Sequence, residues 1–195
     1  MKSSYLETIK VVDGKVFNIE YHQRRYESVL SFFGVSEYQN LSNFIQAPTE
    51  GIYRCRVVYS PKNLDLDISY HKYSKRDIQS LQLVYDDTIE YSLKSTSRDK
   101  LNDLFELKAG CDDILIVKNS LITDTSIANI AVFKDNIWLT PKTPLLKGTT
   151  RQRLLDEGKI VEADIHVDEL KTISKIALFN AMIDFDIIQN INFNN

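Results

Sequence analysis

The sequence predicts a mixed α+β fold. Three observations carry that reading: strand-like stretches come in clusters, single helical stretches separate them, and no strict strand–helix–strand alternation runs through the chain. Its 195 residues, 43% of them hydrophobic, are enough to bury a sizeable core as one large domain or two small ones.

The first element is a hairpin. In "YLETIKVV", Asp13-Gly14 and "KVFNI", two β-rich stretches flank a dipeptide able to supply the positive φ of a two-residue turn. From Glu20 to Phe33, the residues Tyr26, Val29, Leu30 and Phe33 keep helical spacing, and Gly34 stops it. A second helical stretch is expected near "LSNFIQA". "GIYRCRVVYS" and "LDLDISYHKYS" then alternate as neighbouring strands, with Pro61 closing the first. "DKLNDLFELKAG" sets Leu101, Leu104, Phe105 and Leu107 on one helical face, with Gly110 as its expected C-cap. "DDILIVKNSLITDTSIANIAVFKDNIWLTP" reads as three strands with turns at Lys118-Asn119 and Asp135-Asn136. "TTRQRLLDEG" is a short helix ended by Gly158, and "VDELKTISKIALFNAMI" a helix and then a strand. The Asn-rich end "IIQNINFNN" is expected to fray. Because "YSLKSTSRD" lies between the two strand clusters, two domains are expected, 1–90 and 91–195.

Charge and cysteine content narrow the function. A net charge of −3 offers no general attraction for nucleic acid or an anionic membrane, so neither is an expected partner. Cys55 and Cys111 stand far apart without a CxxC or His-rich context, which suggests neither a zinc site nor a disulfide framework. The start "MKSSYLETIK" lacks an apolar leader core, and no apolar run is long enough to span a bilayer; a cytoplasmic protein is expected. GxGxxG, P-loop, HExxH and GxSxG patterns do not occur, which removes several common enzyme classes.

Four clusters of polar residues sit inside or at the ends of apolar stretches, where they cost free energy unless they meet a partner or ligand. In "YHQRRY", His22 and Arg25 are a helical turn apart. In "YSLKSTSRDKL", Lys94 and Arg98 are spaced similarly. Asp124 to Asn129 form the third cluster, and "LKGTTRQRLL" the fourth. Each also has a plain structural reading. Lys94 and the His/Arg pair can be solvated surface residues. Gly148-Thr149-Thr150 can be an N-cap or an anion site at a helix start. Arg54, Arg56 and Tyr53 can bind a substrate carboxylate or can be surface residues of an edge strand.

Taken in order, the clusters resemble the class IV aminotransferases, the pyridoxal-phosphate family that includes branched-chain and D-amino-acid aminotransferases and 4-amino-4-deoxychorismate lyase. The resemblance runs from about Tyr5 to Phe185. "LETIKVVDGKVFNIEYHQRR" is similar to the family's opening hairpin and His-x-x-Arg, which implies that Arg25 holds the cofactor phosphate. "YSLKSTSRDKL" resembles the lyase-branch segment whose Schiff-base lysine is followed four positions on by arginine, so Lys94 inherits the catalytic role. "ITDTSIANIAVF" resembles the segment in which a carboxylate, five residues before an asparagine, faces the pyridine nitrogen; here these are Asp124 and Asn129, with Asp where the family usually has Glu. "LTPKTPLLKGTTRQRLL" is similar to the phosphate-binding turn, with Thr149 acting by its backbone and Thr150 by its hydroxyl, and "ALFNAMIDF" places Asn180 near the same phosphate.

The resemblance implies the two-domain fold-type IV architecture, a small N-terminal α/β domain and a larger, β-barrel-like C-terminal domain with helices. It implies pyridoxal 5'-phosphate as cofactor, no metal, an amino substrate and a homodimer. The reaction implied first is lyase chemistry giving 4-aminobenzoate and pyruvate for folate synthesis. Amino-acid transamination is the alternative, and a non-enzymatic pyridoxal-phosphate-binding homologue the third. Thr8 aligns near a hydroxyl position associated with the lyase branch and joins Tyr53, Arg54 and Arg56 as a substrate-binding candidate. In typical members a Tyr-Gly-rich segment that helps line the substrate side precedes the hairpin, and the resemblance implies a short form without most of it.

Overall fold

The computed structural model describes residues 4–194, and the chain divides into two compact units. The first comprises the chain up to Lys75 together with Leu93–Ser97; the second comprises Arg76–Ser92 and the chain from Arg98 onward. Where the sequence suggested one cut near residue 90, the chain leaves the first unit after Lys75 and returns to it briefly. Backbone bonds hold that return, since Leu6 N–H donates to the Lys94 carbonyl at 2.9 Å and Thr96 N–H to the Ser4 carbonyl at 2.9 Å.

In the first unit, β1 (Tyr5–Val12) and β2 (Lys15–Val16) form the expected hairpin, with positive φ at both Asp13 and Gly14. Helix α1 (Ile19–Phe32) follows, and β3 (Ile52–Tyr59) and β4 (Leu66–Lys72) complete an antiparallel sheet of order β2-β1-β3-β4. One sheet face supplies Tyr5, Ile9, Val11, Cys55, Val57 and Tyr59 to a core closed by Tyr26, Val29 and Leu30 of α1. The helix expected near "LSNFIQA" is only a 3-10 turn, Leu41–Asn43. So short a stretch cannot offset the cost of helix nucleation, and the side chains of Gln23 and Asn40 take the N–H groups of Leu41 and Ser42.

The second unit is built on a larger mixed sheet. Strand β5 (Ser80–Tyr85) runs parallel to β6 (Asp113–Lys118), a pairing that requires a crossover, and α2 (Asp99–Glu106) lies within it. The segment expected to hold three strands holds four: β6, β7 (Leu121–Thr125), β8 (Asn129–Lys134) and β9 (Ile137–Pro141). The unanticipated break is at Ser126–Ala128, inside the apolar run. Helix α3 (Thr149–Asp156), β10 (Val161–Ala163), β11 (Lys175–Phe179), β12 (Asp186–Gln189) and β13 (Asn192–Asn194) follow. The strand path is β10-β9-β8-β7-β6-β5-β13, and the sheet forks at β8, which also pairs with β11.

Three expectations change here. Helix α2 is capped at Leu107, ahead of the expected Gly110, and the chain then turns through positive φ at Ala109 and Gly110. Val167–Thr172 is a 3-10 helix rather than an α-helix, started by a capping box between His166 and Glu169. Up to Asn194 the Asn-rich end is no frayed tail, because β13 pairs in parallel with β5 and Ile191 is buried in the core, while Asn195 lies outside the described residues.

Candidate active site

In the first unit, alternation along β1 turns Glu7 to the same side as Tyr5, Ile9 and Val11, so a carboxylate enters the apolar core. It is fully buried and hydrogen-bonded on both oxygens. Arg25 donates from Nε to Oε1 at 2.8 Å and from Nη2 to Oε2 at 2.5 Å. His22 Nδ1, one helical turn before Arg25, meets Oε2 at 2.6 Å. Burial alone would push the Glu7 carboxyl up; the Arg25 charge and the His22 and Arg25 hydrogen bonds reverse this and hold it at about 2. Burial also keeps His22 neutral: its pKa is lowered despite Glu7, and the charges of Arg25 and Lys94 lower it further. With Glu7 ionised, Nδ1 therefore carries the ring proton and donates it. The His/Arg pair is thus built into the interior rather than solvated. Lys94 lies beside this network, its carbonyl held by Leu6, the neighbour of Glu7.

The opposite face of the same sheet is basic. Cross-strand registers place Thr8 beside Arg56 and Ser69, and Lys10 beside Arg54 and His71. Strand β3 is central, between β1 and β4, so these arginines do not lie on an edge strand. Among the described residues none of Lys10, Arg54 and Arg56 has a carboxylate partner, and the Arg54 Nε is buried without an acceptor. Cationic donors held this way fit an anionic ligand. Tyr53 is separated from this group, because alternation turns it to the α1 side, where it packs against the core.

In the second unit, the centre is Asp124, near the end of β7 and buried. Asn129 Nδ2 donates to its Oδ1 at 2.7 Å and the backbone N–H of Leu146 to its Oδ2 at 2.9 Å. Burial pushes the carboxyl up to about 6, against those two donors and the charge of Arg151. Arg151 is itself committed, with Nη2 bonded to the Pro141 carbonyl at 2.8 Å and to Glu162 Oε1 at 2.6 Å. Asp124 therefore has neutral donors but no cation within hydrogen-bond reach among the described residues. The turn after it is pinned from several sides: Asp113 accepts from Ser126 N–H at 3.3 Å, Arg98 Nη2 donates to the Ser126 carbonyl at 2.8 Å, and Asn180 Nδ2 donates to the Ile127 carbonyl at 3.1 Å.

Asn129 also joins this carboxylate to the start of α3. Its Nδ2 donates to the Leu146 carbonyl at 2.8 Å, and a Cβ on Gly148 would lie 2.1 Å from its Oδ1, so any larger residue there must push the amide aside. Gly148 accepts from Gln152 N–H at 3.0 Å, which leaves the N–H groups of Thr149, Thr150 and Arg151 beyond the reach of an intrahelical acceptor. Among the described residues no side chain caps this helix, and both threonines are buried. The N-cap reading of Gly-Thr-Thr thus gives way to an uncapped helix start whose donors suit a phosphate ester. Asn180 spends its Oδ1 on the N–H groups of Met182 and Ile183 at 2.9 and 3.2 Å, so its amide first of all holds its own turn.

These residues fit pyridoxal phosphate. Asp124 lacks the cation that a protonated pyridine nitrogen would provide, and the α3 start offers donors to the ester. Sequence reasoning missed Glu7 as an organising residue, although its place in the Tyr5, Ile9, Val11 alternation marked it. It also missed Asp113 and the Leu146 N–H; a backbone donor has no signature in sequence.

The chain belongs to the class IV amino-transferases: the family model matches residues 4–191. The pyridoxal-phosphate-dependent enzymes of this family include aminotransferases and lyases. It is 40% identical to an uncharacterised protein of Haemophilus influenzae over 90% of this chain and 96% of that one. A proposed 4-amino-4-deoxychorismate lyase from Haemophilus somnus superposes with a TM-score of 0.84 at 36% identity, covering 93% of this chain and 97% of that one. The branched-chain aminotransferase of Escherichia coli shares the fold, with a TM-score of 0.76 at 15% identity over 98% of this chain and 77% of that one.

Proposed function

We propose that this chain is a pyridoxal-phosphate-dependent lyase that converts 4-amino-4-deoxychorismate to 4-aminobenzoate and pyruvate. The observation that carries the cofactor half of this reading is Asp124, a buried carboxylate with neutral donors and, among the described residues, no cation at hydrogen-bond distance. Similarity to the proposed Haemophilus somnus lyase supports the reaction half. So does the sheet face that sets Thr8 beside Arg56 and within two residues of Arg54, since the substrate of this reaction carries two carboxylates.

When bound, the cofactor supplies an electron sink for the bonds of the substrate's amino-bearing carbon. Lys94 would bind the cofactor carbonyl carbon and, once displaced by substrate, move a proton at that substrate carbon as base and acid. Asp124 would keep the ring nitrogen protonated, with Asn129 and the Leu146 N–H fixing its carboxylate plane. Arg25, Thr149, Thr150 and Asn180 would each offer donors to the phosphate ester. Arg54 and Arg56 would pair with substrate carboxylates, and Thr8 would offer a hydroxyl on the same face.

Purified protein supplied with pyridoxal phosphate is expected to turn yellow, and Lys94→Ala to lose the borohydride-reducible adduct. Release of 4-aminobenzoate from aminodeoxychorismate then tests the reaction. If an amino-acid and keto-acid exchange assay responds and that release does not, the chain is an aminotransferase; a protein that never takes up the cofactor rules out both.

A further inference from the structure

The Glu7 network is more elaborate than packing requires. A carboxylate in an apolar core is costly, and a leucine or methionine of similar volume would fill the same space without charge. Instead Glu7 spends both oxygens on two residues of α1, gripping one edge of the Arg25 guanidinium through Nε and Nη2 and fixing the His22 tautomer through Nδ1. Two parallel bonds set the plane of the fork and not only its position. An additional anion would meet the Arg25 guanidinium in the plane that Glu7 fixes. The preceding residue places the amine, because Leu6 N–H holds the Lys94 carbonyl at 2.9 Å and Tyr5 bridges to Ser95.

We propose that Glu7 is a positioning residue: its buried carboxylate aims the Arg25 guanidinium at a phosphate ester, while the adjoining Leu6 fixes the main chain of Lys94. One dipeptide of β1 thereby sets the spacing between the phosphate anchor and the reacting amine. This rests on the cofactor reading above and adds a residue that touches neither cofactor nor substrate. His22 makes the arrangement tolerant of an isosteric change, since a neutral imidazole can swap tautomers to accept from a glutamine amide.

The test compares pyridoxal phosphate with pyridoxal, which lacks the ester. Glu7→Gln is expected to weaken binding of pyridoxal phosphate by about tenfold or more, as loss of a charge-assisted bond to a guanidinium would. Binding of pyridoxal should stay unchanged. Arg25→Gln should show the same selective loss, and the double variant should lose little beyond either single one. Thermal unfolding and the His22 ring nitrogen shifts establish that the variant is folded and that the tautomer has changed. Equal weakening toward both compounds, or additive losses in the double variant, would overturn the positioning role and leave the cofactor reading standing. A wild-type chain that binds neither compound would remove that reading and this inference together.

Discussion

Glu7 and Asp124 are both buried carboxylates with hydrogen bonds to both oxygens, yet their environments drive them in opposite directions. Glu7 sits in the first unit against Arg25 and a histidine, and it is held at about 2. Asp124 sits in the second against an asparagine amide and a backbone N–H, and it is pushed up to about 6. Burial acts upward on both; the difference is whether the chain supplies a cation at hydrogen-bond distance. In the first unit it does, which makes the cluster a finished structural device. In the second the cation whose charge acts on it, Arg151, is tied to Glu162, so the carboxylate is complete in geometry and incomplete in charge. That asymmetry separates an anion that organises the protein from one suited to a cationic ligand.

Breaking the finished side should have the largest effect on stability. Arg25→Gln leaves Glu7 buried with only a neutral histidine, and a loss of about 3 to 5 kcal/mol in chemical unfolding at neutral pH is expected, as for other buried pairs broken on one side. A loss below about 1 kcal/mol would mean that His22 takes up a proton and fully replaces the charge.

The two carboxylates should also leave opposite marks on the pH dependence of cofactor-free stability. Glu7, lowered from 4.5 to about 2, contributes stability that is present above pH 4.5 and lost as the pH falls through its folded value, a span of about 3 kcal/mol. Asp124, raised from 3.8 to about 6, favours the folded state when protonated, so stability falls by about 3 kcal/mol as the pH rises from below 3.8 past 6. Unfolding curves of Glu7→Gln and Asp124→Asn across pH should each lose one slope, in these separate windows.

Smaller effects sharpen the second site. Gly148 has an ordinary φ of −67°, so alanine is tolerated by the backbone and penalised only by the close approach to Asn129 Oδ1. A cost of about 1 to 3 kcal/mol, seen as a lower melting temperature, is expected from forcing that amide aside. Asn180→Ala frees the Ile127 carbonyl and its own turn and should cost about 1 to 2 kcal/mol in the same measurement.

Much of this was legible in the sequence, for reasons that show where legibility ends. The Asp13-Gly14 hairpin and the α1 stripe are local patterns; the hairpin forms as read, and the stripe does through Leu30, with Phe33 an exposed C-cap residue. Strand β13 is not local: its partner β5 lies more than a hundred residues earlier, and nothing in "NINFNN" signals a parallel pairing. The order of Arg25, Lys94, Asp124, Asn129, Thr149 and Thr150 pointed to the family because chemistry-bearing side chains occupy recognisable positions. Asp113 and the Leu146 N–H stayed hidden, since an acid at a strand start and a loop amide look ordinary until folding brings them to Ser126 and Asp124. Tyr53 misled for the converse reason: neighbours in sequence on a strand face opposite ways.

Among the described residues Asp124 has no cation at hydrogen-bond distance, and on the proposed function a bound cofactor would provide one. Carboxyl carbon chemical shifts of Asp124, followed through a pH titration with and without pyridoxal phosphate, test it directly. The carboxyl should titrate near 6 in the free protein and remain ionised well below that in the complex. A titration that pyridoxal phosphate leaves unmoved would contradict the assignment of Asp124 to the ring nitrogen.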